Sequence, residues 1–409
     1  MVTTVPIRAP APARPAVEKA PVLLLAVASG LTVANTYYAQ PLLEAIARDL
    51  GVGATTAGLV VPLGQVGYVL GLVLLVPLGD LLDRRRLITG ALLAATGALL
   101  LVATAPRIGL VDAGIVLVGF TSVAAQILVP FAAILAADHE RGRVVGQVMT
   151  GLLLGTLLSR GVAGLIAQVA GWRTVYVVAA VVTAALTVLI SRSLPHHPPT
   201  TGHRYRHLLV SVALLMAREP VLRLRSVFGA LAFAAFNILW TPIAFVLAAP
   251  PYGFAEAAIG AFALASVPTV FLTGFVGRLG DLGYGRSLTG VYFAVVLAGA
   301  GLAAFGARHL VALTLGALLV TLGQQCVHIT NQSEIYRLAP GARCRVTTAY
   351  MASYFGGGIA GSALAMTVYA ARGWDGVCVL LGCVTAVALL IWATDRLRSS
   401  APVTSPGVE

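Results

Sequence analysis

The sequence predicts an all-α membrane protein: twelve transmembrane helices forming two pseudo-symmetric six-helix bundles. Three observations predict it. Of 409 residues, 58% are hydrophobic and 10% charged, with a mean hydropathy of +0.92, whereas a soluble domain carries about 25% charged residues and needs them to cover its surface. The apolar residues fall in blocks of about 18–28, near the ~20 residues a helix needs to cross the hydrocarbon core. The second half of the chain also repeats the first at a fixed offset. Helices satisfy their backbone groups internally, as lipid demands. The ~10-residue alternating segments of a β-barrel do not occur.

The elements follow in order. Residues 1–21, rich in Pro and Ala with Arg8, Arg14 and Lys19, are expected to be a disordered cytoplasmic tail. A cleaved signal peptide is the rival reading. No clear small-x-small site follows the first apolar run, so a retained span is preferred. The N-terminal bundle (22–193) holds spans 22–45, 56–79, 87–105, 110–137, 144–169 and 174–193. A basic cytoplasmic connector, 194–222, separates it from the C-terminal bundle (223–396), with spans 224–249, 257–280, 287–306, 310–337, 346–371 and 375–394. Residues 397–409 form a second cytoplasmic tail.

Charge placement orients the chain. Twenty-one Lys and Arg side chains fall in the N-terminal tail, 84–86, 141–143, the connector and its flanks, 278–286, 337–345 and 396–398. The opposite loops hold five: Arg48, Arg107, Arg173, Arg308 and Arg372. The positive-inside rule therefore puts both termini and the connector in the cytoplasm. This placement also explains the net charge of +12 and the pI near 10.1 without nucleic-acid binding. Cys326, Cys344, Cys378 and Cys383 lack metal-ligand spacing and read as packing residues.

The internal repeat is legible residue by residue. At an offset of 201, Leu78-Gly79-Asp80-Leu81 returns as Leu279-Gly280-Asp281-Leu282, with Arg85 over Arg286. At 202, Arg141-Gly142-Arg143-Val144 returns as Arg343-Cys344-Arg345-Val346, Gly155 as Gly357, Gly171-Trp172 as Gly373-Trp374 and Asn35 as Asn237. Six spans is an even number, so the halves are parallel repeats. Their shared site is expected at the interface near the membrane midplane.

These residues resemble the major facilitator superfamily, in its bacterial twelve-span drug/proton-antiporter-like branch. Val76-Pro77-Leu78-Gly79-Asp80-Leu81-Leu82-Asp83-Arg84-Arg85 stands where that family carries Gly-x-Leu-x-Asp-Arg-x-Gly-Arg-Lys/Arg; the Leu, the Asp and the trailing basic pair match. Both signature glycines and the first Arg are replaced. Asn35-Thr36-Tyr37-Tyr38-Ala39-Gln40-Pro41 and Gly171-Trp172-Arg173 are similar to the same branch. The resemblance implies a bacterial inner-membrane carrier, working without a cofactor, whose partners are a small-molecule substrate, protons and the bilayer; a monomer is expected. It also implies a cytoplasmic latch built on Asp80, Arg84 and Arg85, with Asp281 and Arg286 as its mirror copy. Two antiporter signatures depart: Ile115 stands where an Arg precedes Gly119, and Thr156 where a Pro follows Gly155.

Polar groups inside the spans are costly and are therefore candidates for function. Arg160 lies well within the fifth span and is read as a substrate or coupling residue, with snorkelling to the interface as its rival. In the tenth span Thr321, Gln324, Gln325, His328, Asn331 and Gln332 share an arc of about 120°, which suits a water-facing wall. His328 and Glu334 are coupling candidates; Glu334 reads equally as a structural partner of Arg337 or Arg343. Asn35, Tyr38, Gln40, Gln126, Asn237, Trp240 and Tyr354 complete the predicted binding set, with Tyr37, Gln65, Tyr68, Tyr350 and Phe355 as further lining. Amides and rings with few charges suit a small amphipathic solute.

Three function classes remain to be weighed. Secondary active transport, as proton-coupled efflux, is preferred; an uptake carrier on the same fold is its alternative. A nucleotide-driven pump needs a Lys-bearing phosphate loop, and the chain has one lysine, Lys19. An intramembrane hydrolase needs His-Glu-x-x-His or Gly-x-Gly-Asp, and neither occurs, so no enzyme is expected.

Overall fold

The computed structural model describes residues 19–136, 140–195, 205–266, 269, 285–338 and 343–400. All regular structure among them is helical. The first span is two helices, α1 (Lys19–Ala34) and α2 (Ala39–Leu50), bent by 42°. Pro41 causes the break. It has no N–H to donate, and its ring clashes with the carbonyl four residues back, at Tyr37. The bonds Thr36 N→Val33 O (3.1 Å) and Tyr37 N→Ala34 O (2.9 Å) tighten the turn to three-residue spacing.

The second span runs from α3 (Ala54–Gly58) through α4 (Val60–Leu74) to a 3-10 turn, Val76–Asp80. Then come α5 (Arg84–Thr104), α6 (Ile108–Ser122), α7 (Ala124–Leu135), α8 (Arg141–Ala170) and α9 (Trp172–Ser193). The connector carries α10 (Tyr205–Arg218). The seventh span divides into α11 (Pro220–Trp240) and α12 (Ile243–Ala248) at Pro242, the repeat partner of Pro41. After α13 (Glu256–Ala263) come α14 (Gly285–Ala304), α15 (Leu310–Leu338) and α16 (Arg343–Ser400).

Among the described residues nine helices are long and apolar enough to cross a membrane, ten with α1 and α2 joined. One of them, Arg345–Leu397, has 53 residues and breaks at Gly373 (φ 63°, ψ −156°), so it crosses twice. Gly171, the repeat partner of Gly373, also has positive φ, at 83°. Both positions turn one span into the next in a conformation that favours glycine.

Side chains tie the loops at this end together. Trp172 donates to Asp49 (3.2 Å), Arg173 pairs with Asp49, and Arg173 also reaches the carbonyl of Ala105 (3.1 Å). In the second half Trp374 donates to Ala303 O (2.7 Å) and Tyr252 to Gly306 O (2.7 Å). Packing within each half relies on small residues, the usual basis of helix association in lipid. A Cβ on Gly155 would strike the carbonyl of Gly30, and one on Gly357 would strike that of Ala230. The α1/α8 contact in the first half thus recurs as α11/α16 in the second.

The two halves meet along two seams. Tyr68 of α4 packs on Phe355 of α16 (4.4 Å between ring centres), and a Cβ on Gly58 would strike Met366. On the other side Gly164 of α8 touches Glu256 and Gly260 touches Arg160 through backbone atoms. Arg48 and Glu256 add an ion pair of 3.8 Å across the halves.

Candidate functional site

Arg160 lies between the halves, on the face of α8 turned toward α2 and α11, and keeps only 6% of its surface exposed. Its Nε donates to Gln40 Oε1 at 2.6 Å. Three rings surround the guanidinium: Tyr37 at 4.7 Å, Trp240 at 5.5 Å and Phe236 at 6.0 Å. Tyr37 and Gln40 face it because the Pro41 break ends α1 and restarts the chain as α2. Trp240, held by Nε1→Thr321 Oγ1 (3.1 Å), brings α11 and α15 into the same site. Tyr37, not Tyr38, supplies the ring over Arg160. Tyr38 packs in an apolar cluster made mostly by its own half, with Phe245 and Met366 from the other, and borders a groove of about 950 Å³ between α1 and α8.

An amide–aromatic layer adjoins this centre. Gln65 Nε2 donates to Asn237 Oδ1 (2.7 Å), joining α4 to α11 across the halves, and Asn237 Nδ2 bonds Phe233 O (2.9 Å). Phe233 stacks on Tyr354 at 4.1 Å and on Phe236 at 5.7 Å. The Tyr354 hydroxyl accepts from Gln324 Nε2 (2.6 Å), while His328 lies 4.6 Å from the Tyr354 ring and 3.0 Å from Tyr350 OH. Gln126 Nε2 donates to Tyr68 OH (3.1 Å). Asn35 is buried at the α1 break, and its Nδ2 has no hydrogen-bond partner. Asn35 and Asn237 are both buried close to the proline breaks of their halves, but only Asn237 bonds across the interface.

A third cluster places Asn331 and Glu334 elsewhere. Arg225, 2% exposed, lies 3.8 Å from Glu334 Oε2 and 3.1 Å from Thr289 Oγ1; Asn331 Oδ1 is 3.5 Å away. Asn331 Nδ2 in turn donates to the Arg225 carbonyl at 3.1 Å. Sequence reasoning missed Arg225 by counting it with the connector charges. A signal was present: Pro220 stands at the first position of α11, a place proline favours. That start puts Arg225 inside the helix, opposite the Asn331/Glu334 pair on α15. Arg337 and Arg343, the expected partners of Glu334, have side chains outside the described residues.

Residues 25–343 match the model of the Major Facilitator Superfamily. The chain belongs to that superfamily. It is 44% identical over 371 residues to the putative uncharacterized transporter YgaY of Escherichia coli K12, covering 91% of this chain and 94% of that protein. It is 33% identical over 380 residues to the probable transporter SCO4007 of Streptomyces coelicolor, covering 92% and 86%. Among solved structures, the nucleoside transporter NupG superposes with a TM-score of 0.76 at 14% identity, over 91% of this chain and 99% of that one. A bacterial homologue of the lysosomal transporter Spinster, inward-facing, gives 0.75 at 13%, over 95% and 98%. At those identities the likeness shows the twelve-helix major facilitator fold alone. Members of the superfamily are membrane transporters, not enzymes.

The superfamily loop after the second span is built locally. Asp83 caps α5 by accepting from Arg86 N (2.9 Å), Arg84 Nε folds back to Gly79 O (2.9 Å), and Arg85 bonds the carbonyl of Ser191 on α9. Asp80 ends the 3-10 turn. Its side chain, all of Asp281 and the side chain of Arg286 lie outside the described residues.

Proposed function

We propose that this chain is a proton-coupled secondary transporter that exports a small amphipathic solute by alternating access around Arg160. One observation carries the reading. A buried cation stands between the two halves, contacted by Gln40 and Tyr37 of the first and by Phe236 and Trp240 of the second. Ionisable groups at such depth are expensive and mark transport pathways. A site made jointly by two repeats is remade whenever they rock, which is how repeat-built carriers alternate access. Rings and neutral amides around one charge favour an amphipathic solute.

Glu334 is the proton carrier in this reading. It faces the buried Arg225 and retains 22% side-chain exposure, so a proton has access to a carboxylate whose charge matters to a neighbour. His328, enclosed by Tyr350 and Tyr354, is the second coupling candidate. The bundles are assigned to 22–193 and 223–396 with the connector at 194–222. With Arg225 moved into the membrane, twenty basic residues still oppose five, which favours cytoplasmic termini in a bacterial inner membrane. Asp80, Arg84 and Arg85 form the cytoplasmic latch, mirrored by Asp281 and Arg286, and the unit is a monomer.

The test uses everted vesicles energised to an acid interior and a pH-sensitive dye. Addition of an exported compound releases protons from wild type and not from Glu334→Gln. A response unchanged in Glu334→Gln removes that residue from coupling. Transport that persists after the proton gradient is collapsed removes antiport.

A further inference from the structure

The two buried arginines are treated differently. Arg225 has an acid, Glu334, at 3.8 Å, with Thr289 and Asn331 as further partners. Arg160 is as deeply enclosed, yet its hydrogen-bond acceptor is the neutral amide of Gln40, and no Asp or Glu among the described residues pairs with it. Its Nη2 is buried without a partner. Rings cover its faces, and rings do not cancel a full charge. Several described acids are engaged elsewhere: Glu44, Asp49 and Glu256 pair with Arg48 or Arg173, Glu140 pairs with Arg143, Glu334 faces Arg225, and Asp83 caps α5. A buried cation that no acid among the described residues compensates calls for a counter-charge from outside.

We infer that the Arg160 site binds a small organic monoanion, a carboxylate or similar oxyanion joined to a flat apolar body. The guanidinium edge left open beside Gln40 matches an oxyanion by charge-assisted hydrogen bonding. Tyr37, Phe236 and Trp240 supply surfaces on which an aromatic body stacks. A cationic solute is repelled there, and a neutral one can accept from Nη2 but leaves the charge uncompensated. The inference rests on the carrier reading for its biological sense. It also adds a consequence: the membrane potential of a cell, negative inside, itself favours export of such a solute.

The experiment uses the purified full-length chain in detergent and three probe scaffolds: benzoate, 2-naphthoate and indole-3-carboxylate. Each is compared with its primary amide and its aminomethyl cation by calorimetry. The carboxylates are expected to bind about 10- to 150-fold more tightly than the amides, the range for a hydrogen bond to a charged group. Arg160→Gln is expected to abolish that preference and Arg160→Lys to keep part of it. The comparison within wild type holds even when Arg160→Gln does not fold. Equal binding of acid and amide, a preference that survives in Arg160→Gln, or no binding of any carboxylate overturns the inference. The same compounds in vesicles separate the two claims. Movement of amides or amines but not acids keeps the carrier and removes the anion. Binding of acids at Arg160 with no compound crossing keeps the anion site and removes the carrier.

Discussion

Replacing Arg225 with Met removes the charge and keeps most of the volume. The structure sets the size of the effect. Breaking a buried ion pair by deleting one partner costs about 3–5 kcal/mol, because the remaining charge is stranded. Glu334 keeps 22% side-chain exposure, so water can solvate it, and the lower end of that range applies to the stranded charge. The freed Asn331 and Thr289 groups add to the cost by about 1 kcal/mol each where no water replaces the guanidinium. We expect a loss of about 3–5 kcal/mol, read as a fall of about 6–10 °C in a thermal scan at roughly 2 °C per kcal/mol for a large chain. Heating rate must be held constant, since unfolding of such proteins is governed by rates. Glu334→Gln alone should cost about 1 kcal/mol, and the double variant should be less damaged than the sum by about 1–2 kcal/mol. The assay is tryptophan fluorescence of the detergent-purified protein during heating. A melting point for Arg225→Met within about 1 °C of wild type would refute the assignment of Arg225 to a buried ionic cluster.

Other predictions follow from packing. Gly155→Leu and Gly357→Leu should each force apart a helix pair that now touches through backbone atoms, and both should fail to give a monodisperse peak in size-exclusion chromatography; normal elution of either disproves the close contact. Gly373→Ala must adopt positive φ, so a modest loss of about 1 kcal/mol is expected in the same thermal scan, while Gly382→Ala, in a helix with open space beside it, should gain about 0.5 kcal/mol. Gln65→Leu removes a hydrogen bond between the halves; interhelical bonds in membranes average about 0.6 kcal/mol. Its melting point should therefore change little while the rate of exchange between carrier states rises, measured as counterflow. A slower rate would contradict a restraining role for the Gln65–Asn237 bond.

Much of the fold is legible because lipid imposes it. Span lengths follow from membrane thickness, and the repeat shows in paired residues such as Gly171 and Gly373, whose shared backbone conformation the structure bears out. Depth also marked Arg160, since a lone charge within an apolar block has few interpretations. Side-chain direction was not legible. Tyr37 and Tyr38 are neighbours in sequence, and only the α1/α2 bend caused by Pro41 decides which ring faces Arg160. α16 is helical through Gly356-Gly357-Gly358, and the missing side chains of Gly357 and Gly358 admit Ala230 and Phe233, a close approach that only the packing partner reveals. Arg225 was hidden by its nearness to the basic connector. Charge counting groups such a residue with the loop although it falls within the span predicted from 224, and only the packing of α11 on α15 shows Glu334 and Asn331 facing it.

The most direct test of the central claim, that solute passes through a site organised by Arg160, is compound-driven proton release in everted vesicles of wild type and Arg160→Gln at matched expression. The account predicts a response to at least one exported compound in wild type and none to that compound in Arg160→Gln, with Arg160→Lys between them. Equal responses in wild type and Arg160→Gln would contradict it.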